Sequence, residues 1–211
     1  MELPMQIIKN IQQGSPEWLQ LRLGVATASN FDKIITASGK VSATLEKYAL
    51  QLATELMITA PDISFKSDFM ARGNEVEPVA RQCYQEETFT IIDEIAMIKS
   101  DCGNYGYSPD GLVGDDGLIE IKCPIATTHF QYILDNKVPT DYWQQLQGGL
   151  WVSGRKWIDF VSFHPNFKSK PIFIKRVERD ENYIAKLAME ASRVILLRNE
   201  FLKQFNEINN V

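Results

Sequence analysis

The sequence predicts an α/β (α+β) domain in which a central mixed sheet is flanked by helices. Three features lead there: long stretches with apolar residues at helical spacing, short apolar strand-like runs between them, and a Gly/Asp-rich reversal at 110–117 that folds two strands into a hairpin. The 211 residues are 45% hydrophobic and include four tryptophans, enough to bury a substantial core. No repeat or composition break divides them, so residues 1–211 are read as one domain.

From the N-terminus, Ser15-Pro16-Glu17-Trp18 has the signature of a helix start, with Ser as N-cap, Pro at the first position and an acidic residue in the first turn. Arg22 then lies about two turns in. Ser29, with Asp32 three residues later and Phe31, Ile34 and Ile35 around it, predicts a second helix that Ser29 caps. Ala43 to Ile58 places Leu45, Ala49, Leu52 and Leu56 at helical spacing and predicts a packing helix. Asp68 to Glu86 predicts a longer helix with Met70, Gly73, Val76, Glu77, Ala80 and Tyr84 on or near one side, a face that Glu75 cannot share with Glu77. Phe89 to Lys99 and Gly103 to Tyr107 read as strands leading into Asp110, and the Glu120 strand follows. Thr127 to Asn136 and Thr140 to Val152 read as helices, the second with a stripe of Trp143, Leu146, Leu150 and Trp151. Trp157 to Phe163 and Pro171 to Val177 are apolar strands, and Arg179 to Phe205 is a long amphipathic helix.

The chemistry concentrates at the hairpin. Ten residues separate the aspartate of Ser108-Pro109-Asp110-Gly111 from the glutamate of Ile119-Glu120-Ile121-Lys122. A strand alternates its faces, so Glu120 and Lys122 point one way while Ile119, Ile121 and Cys123 point into apolar packing. Asp-Gly and the glycines that follow accept the positive dihedrals of a tight reversal, which brings Asp110 beside Glu120. Two converging carboxylates make a hard oxygen site suited to Mg²⁺, which lowers the pKa of bound water and neutralises charge on a phosphodiester. Lys122 alongside orients that water or stabilises developing negative charge. Alone, Glu-x-Lys is usually a solvated strand face and Asp-Gly a turn; their conjunction at hairpin distance in an apolar frame points to a metal-dependent nuclease.

Ser108-Pro109-Asp110-Gly111-Leu112 and Glu120-Ile121-Lys122-Cys123-Pro124 resemble the PD-(D/E)XK nuclease core of the phage lambda exonuclease and YqaJ-type viral recombinase family. Leu21 to Ser29, Gly73 to Glu77 and Gln145 to Val152 match the same family in the same order, so the resemblance spans roughly residues 15 to 180. It implies a restriction-endonuclease-like core with two Mg²⁺ ions per active site, for which Mn²⁺ substitutes. Asp110 and Glu120 then hold metal, the backbone carbonyl of Ile121 adds a ligand, Lys122 assists the attacking water, and Glu77 contributes to the second metal or its waters. Helix spacing alone also allows Glu77 to pair with Arg81 at i,i+4. The resemblance further implies that Arg22, Ser29, Ser108 and Gln147 grip a terminal 5′-phosphate, with Gln145 as the substitute for Gln147. Met70 falls where the family parts the end base pair, although a buried Met is the commoner case. For Ser29, simple capping is the competing role.

Composition narrows the remaining classes. Cys83, Cys102 and Cys123 are too few and too dispersed for a disulfide framework, a zinc site or a four-cysteine iron–sulfur cluster. His129 and His164 are the only histidines, leaving little room for a histidine metal cluster or a Ser-His-Asp triad. The net charge of −5 opposes nonspecific coating of DNA unless basic groups such as Lys33, Lys40, Lys47, Arg72, Arg81, Lys137, Arg155 and Lys156 gather on one surface. No apolar run approaches a membrane span and Met1-Glu2-Leu3-Pro4 opens no signal segment, so a cytosolic protein is expected.

The activity that the resemblance implies is 5′-to-3′ exonuclease digestion of double-stranded DNA from its ends, processive because a homotrimeric ring encloses the substrate. The exposed 3′ single strand passes to a phage-type single-strand annealing protein during recombination, in the bacterial cytoplasm, from a phage or prophage gene. Two other functions share the motifs: a structure-specific or restriction-like endonuclease, and a catalytically inactive DNA-binding recombination scaffold. Closed circular duplex separates the first, and the intact Asp110, Glu120 and Lys122 speak against the second.

Overall fold

The computed structural model describes residues 5–60 and 68–209. Strand β1 (Met5–Ile8) precedes helix α1 (Pro16–Arg22), which starts as its sequence dictates: the Ser15 hydroxyl accepts from the Trp18 amide at 3.2 Å and Pro16 opens the first turn. Strand β2 (Ala26–Thr27) follows, and Ala28–Lys33 then forms a 3-10 helix rather than the expected α-helix. Thr27 occupies the cap position without a side-chain capping bond, and Ser29 lies in the first turn, its hydroxyl drawn to Arg22 and Thr27. Helices α2 (Leu45–Glu55) and α3 (Asp68–Thr88) come next.

The single strand expected over residues 89–99 is split. Phe89 takes a left-handed conformation (φ 54°) directly after α3, and the chain then forms β3 (Ile92–Asp93) and β4 (Met97–Ser100), which belong to different sheets. After β5 (Tyr105–Tyr107), the expected hairpin is present as β6 (Gly111–Val113) and β7 (Gly117–Lys122), with Gly114 at φ 54° in the turn. Arg155 Nη1 donates to the carbonyls of Gly114 (2.7 Å) and Gly117 (2.6 Å), bracing that turn. Helices α4 (Ala126–Asp135) and α5 (Trp143–Ser153) lead to β8 (Trp157–Phe163), β9 (Ile172–Glu178) and the long α6 (Glu181–Asn209).

The mixed sheet flanked by helices is therefore present, but as two sheets. One runs β1-β4-β5-β2 with β5 and β2 parallel; the other runs β3-β6-β7-β8-β9 with β7 and β8 parallel. A parallel pair needs a crossover, which α4 and α5 supply between β7 and β8. The two faces of β7 have different fates. Ile119 and Ile121 pack with Ala80 and Tyr84 of α3 and with Val161 and Phe163 of β8, whereas Leu118 joins the main core with Phe160, Leu146 and Leu150. Glu120 shares the face of Leu118.

Helix α5 touches both sheets and is buried on nearly every side, not only along its tryptophan and leucine stripe. Its small residues let the chain approach: a Cβ at Gly148 would come 2.2 Å from the Phe31 ring, and one at Gly149 2.7 Å from the Tyr107 ring. Among the described residues there is no disulfide, and no helix is long and apolar enough to cross a membrane.

Candidate active site

The hairpin register pairs Gly111 with Ile119, so the next step places Asp110 opposite Glu120. The Asp110 amide donates to the Ile119 carbonyl at 3.2 Å, and Asp110 Oδ2 accepts from the Ile121 amide at 2.5 Å. Glu120 is 3% exposed and held by three donors: Oε1 accepts from Lys122 Nζ and Gln145 Nε2, each at 2.6 Å, and Oε2 accepts from the Tyr107 hydroxyl at 2.7 Å. Lys122 also stands 5.0 Å from the Tyr142 ring centre. Glu77 faces this group from α3 while its Oε1 holds Arg81 Nη2 at 2.6 Å, so the i,i+4 pair that helix spacing allowed is formed. Arg81 in turn donates from Nε to the Asp110 carbonyl (3.0 Å) and from Nη1 to Glu94 (2.8 Å).

The charges explain the titration behaviour. Burial, then Glu120 and Glu77, holds the Asp110 carboxyl well above its ordinary range. Burial likewise raises Glu77, with Arg81 opposing it and Glu120 adding to it. Burial alone would lower Lys122, but Glu120 and Asp110 outweigh it and raise the ammonium, which stays protonated. Tyr107 is raised by burial and by Glu120, so its phenol remains a donor.

Four carboxylates (Glu77, Glu94, Asp110 and Glu120) thus face two cations (Arg81 and Lys122), an imbalance that a divalent cation would correct. Among the described residues no three His, Cys, Asp or Glu side chains form a coordination cluster by themselves. Mg²⁺ typically takes one or two carboxylates and completes its shell with water and substrate oxygen. Asp110 and Glu120 are the pair that fits; Glu77, tied to Arg81, stands behind them.

Beside this group lies a cavity of about 150 Å³. Arg22 crosses it, donating to the hydroxyls of Ser29 (3.1 Å), Thr27 (3.2 Å) and Ser108 (3.4 Å), with its guanidinium carbon 4.3 Å from the centre of the Trp18 ring. Among the described residues no ion pair involves Arg22, so a half-buried cation is ringed by hydroxyls and an aromatic face, the chemistry of an anion site. Gln13, Tyr107 and Gln145 complete the wall, and the last two also bond Glu120.

Arg22, Ser29 and Ser108 are therefore brought together as expected, and Asp110, Glu120, Ile121 and Lys122 form the adjoining group. Gln147 is not brought there. It is 0% exposed, its Nε2 donates to the Glu178 carbonyl at 2.9 Å and its Oε1 accepts from the Asp180 amide at 2.8 Å, so the amide holds the end of β9 and the residue that precedes α6. Gln145, which the sequence reading ranks behind Gln147, lies at the site instead. Met70 and Arg72 fall in α3, and their side chains lie outside what the structure describes. The anticipated basic surface is partly spent elsewhere: Arg81 serves the carboxylates, Arg155 the hairpin turn and Lys156 the carboxylate of Asp116. Sequence reasoning missed Trp18, Thr27 and Tyr107. Trp18 was accessible from its i,i+4 spacing to Arg22; a tyrosine closing an apolar strand carries no comparable signal.

The sequence model of the YqaJ-like viral recombinase domain matches residues 17–156, more than half of the chain. The chain belongs to the YqaJ-like viral recombinase family. This YqaJ-like chain is 34% identical to an alkaline exonuclease from Laribacter hongkongensis, whose crystal structure matches with a TM-score of 0.85 over 93% of this chain and 98% of that one. The structure of that exonuclease in complex with dAMP matches with a TM-score of 0.83 over the same shares, 93% and 98%. A phage-related exonuclease from Haemophilus somnus 129PT, 18% identical, shares the fold with a TM-score of 0.64 over 86% of this chain and 96% of that one. Comparison with curated proteins finds no match.

Proposed function

We propose that this YqaJ-like chain is a DNA exonuclease that digests double-stranded DNA from a 5′-phosphorylated end, in the 5′-to-3′ direction, with Mg²⁺ or Mn²⁺. One observation carries the reading: Tyr107 and Gln145 line the Arg22 cavity and also bond Glu120, so an anion gripped by Arg22 lies beside the carboxylate pair. The family and the 34% identity to an alkaline exonuclease support the reaction class, and the dAMP seen with that enzyme is a nucleoside monophosphate of the kind such digestion releases.

In this reading Arg22, Ser29, Thr27 and Ser108 hold the terminal phosphate, with Arg22 supplying charge and the hydroxyls turning to donate. Asp110 and Glu120 hold the metal ions, with the Ile121 carbonyl as a further ligand and Glu77 acting on the second ion or its waters. Bound metal supplies Lewis acidity and a water of lowered pKa. The Lys122 ammonium, fixed by Glu120, orients the attacking water and faces the charge that develops on the phosphate oxygens. Water oxygen joins phosphorus as the bond to the neighbouring 3′ oxygen breaks. The shortened strand retains a 5′-phosphate that refits the same cavity, which favours repeated cleavage. A homotrimeric ring around the duplex, a single-strand annealing partner for the exposed 3′ strand and action in the bacterial cytoplasm complete the proposal.

The test is digestion of linear duplex with and without a 5′-phosphate, and of closed circular duplex, in Mg²⁺. The expected result is release of nucleotides from phosphorylated ends, an intact circle, and loss of activity in Asp110→Ala and Lys122→Ala. Undiminished digestion by Asp110→Ala overturns the metal assignment; cutting of the circle overturns end dependence; light scattering that shows only monomer overturns the ring.

A further inference from the structure

Tyr107 belongs to β5 of the four-stranded sheet and Glu120 to β7 of the five-stranded sheet, and their 2.7 Å hydrogen bond ties the two sheets together at the site. The phenol is 1% exposed, and a tyrosine hydroxyl so deeply buried is costly unless it is bonded. Its ring cannot drift. The close approach of Gly149 on α5, where a Cβ would come within 2.7 Å, clamps it from one side.

An ionised carboxylate offers about four lone-pair positions. At Glu120, Lys122 and Gln145 fill both positions on Oε1, and Tyr107 fills one on Oε2. The position left for a cation is therefore on the oxygen that Tyr107 holds. We infer that Tyr107 is a positioning residue of the reaction: its hydroxyl fixes Glu120 so that Oε2 is presented to the divalent cation, and it sets the offset between the carboxylates and the Arg22 cavity it also lines. The inference rests on the reading that Glu120 holds metal. Side chains that orient metal-binding groups typically change metal affinity or activity by about ten- to a hundredfold when removed.

Tyr107→Phe keeps the ring and removes only the donor. Mn²⁺ binding to the DNA-free protein is measured by calorimetry, and kcat and KM are measured on 5′-phosphorylated duplex, with Glu120→Gln as the comparison. The expected result for Tyr107→Phe is an Mn²⁺ affinity and a kcat each lower by about ten- to a hundredfold, with KM for DNA ends within about twofold of wild type. Unchanged Mn²⁺ affinity in Tyr107→Phe overturns the inference whether KM rises or the protein merely melts earlier, provided Glu120→Gln has lost Mn²⁺ binding. Wild-type Mn²⁺ binding by Glu120→Gln overturns the metal reading itself and the inference with it.

Discussion

Gln145 and Gln147 stand two residues apart on α5 and point to opposite tasks. Gln145 Nε2 donates to Glu120 at 2.6 Å, while the Gln147 amide is shared between the Glu178 carbonyl and the Asp180 amide. Two residues on an α-helix are separated by ~200° around its axis, so only one of the pair can reach the site.

Alanine at each position separates the roles. Gln147→Ala strands a buried carbonyl and a buried amide, each costing about 1–3 kcal/mol, and lowers Tm by about 2–4 °C per kcal/mol in a chain of this size. Its kcat below the melting temperature stays near wild type. Gln145→Ala does the reverse, reducing kcat by about tenfold or more with little change in Tm, because its partner Glu120 retains Lys122 and Tyr107. Thermal melts and initial rates on the same preparations decide it; a Gln147→Ala protein that is stable but inactive contradicts the assignment.

This pair also shows what the sequence makes legible. Period-2 alternation and Asp-Gly chemistry placed Asp110 opposite Glu120 with Lys122 on the same face, because a hairpin is local and its register follows from its turn. The start of α1 was legible for the same reason: Ser15 and Pro16 act within one turn. Local signals fail where distant packing decides. Nothing near Phe89 announces that α3 ends there and that the next residues divide between two sheets. The apolar stripe of α5 identifies one packed face, whereas a helix buried on nearly every side must satisfy Gln147 internally and leaves the partly exposed Gln145 for the site. Ser29 looks like a cap because Asp32 follows at capping-box distance, yet Arg22, brought over from α1, and the neighbouring Thr27 claim its hydroxyl.

The Arg22 cavity predicts discrimination between DNA ends. Replacing Arg22 with Gln keeps a polar side chain but removes the charge, and a hydrogen bond to a charged group contributes about 1.5–3 kcal/mol. The rate on 5′-phosphorylated duplex at limiting substrate should fall by about 10- to 100-fold, while the rate on 5′-hydroxyl duplex changes little. Competition between the two substrates in one reaction measures the ratio directly. An Arg22→Gln protein that retains the wild-type preference contradicts a phosphate role for this cavity.

Asp110 predicts an unusual dependence of stability on pH. An aspartate near 3.8 in the unfolded chain is raised on folding by burial and by the nearby Glu120 and Glu77. Its favourable contribution is thus fully present below the unfolded value and is lost as pH rises through the folded value. Without divalent cation, Asp110→Asn should melt close to wild type near pH 4 and above it at pH 7 to 8. Mg²⁺ should raise the Tm of wild type and leave that of Asp110→Asn nearly unchanged, because the cation relieves a repulsion the variant lacks. Melts across pH with and without Mg²⁺ test this, and an Asp110→Asn protein less stable than wild type at neutral pH refutes it.

On the other face of the five-stranded sheet, Asp159 is 2% exposed and held by three bonds: Arg176 Nε and Nη2 at 2.9 Å each, and the Tyr84 hydroxyl at 2.7 Å. Arg176 also lies 3.5 Å from the centre of the Trp157 ring. The group fastens α3, which carries Glu77, to β8 and β9. Removing one member of a buried ion pair costs about 3–5 kcal/mol, and the 53% exposure of the Arg176 side chain reduces that to about 1–3 kcal/mol. Arg176→Ala should therefore lower Tm by several degrees, at about 2–4 °C per kcal/mol. Adding Asp159→Asn removes the stranded charge while leaving an amide that still accepts from Tyr84, so the double variant should be more stable than Arg176→Ala alone. A double variant that melts at or below the single one means that solvent already screens Asp159, and that the stacking of Arg176 on Trp157 accounts for the loss.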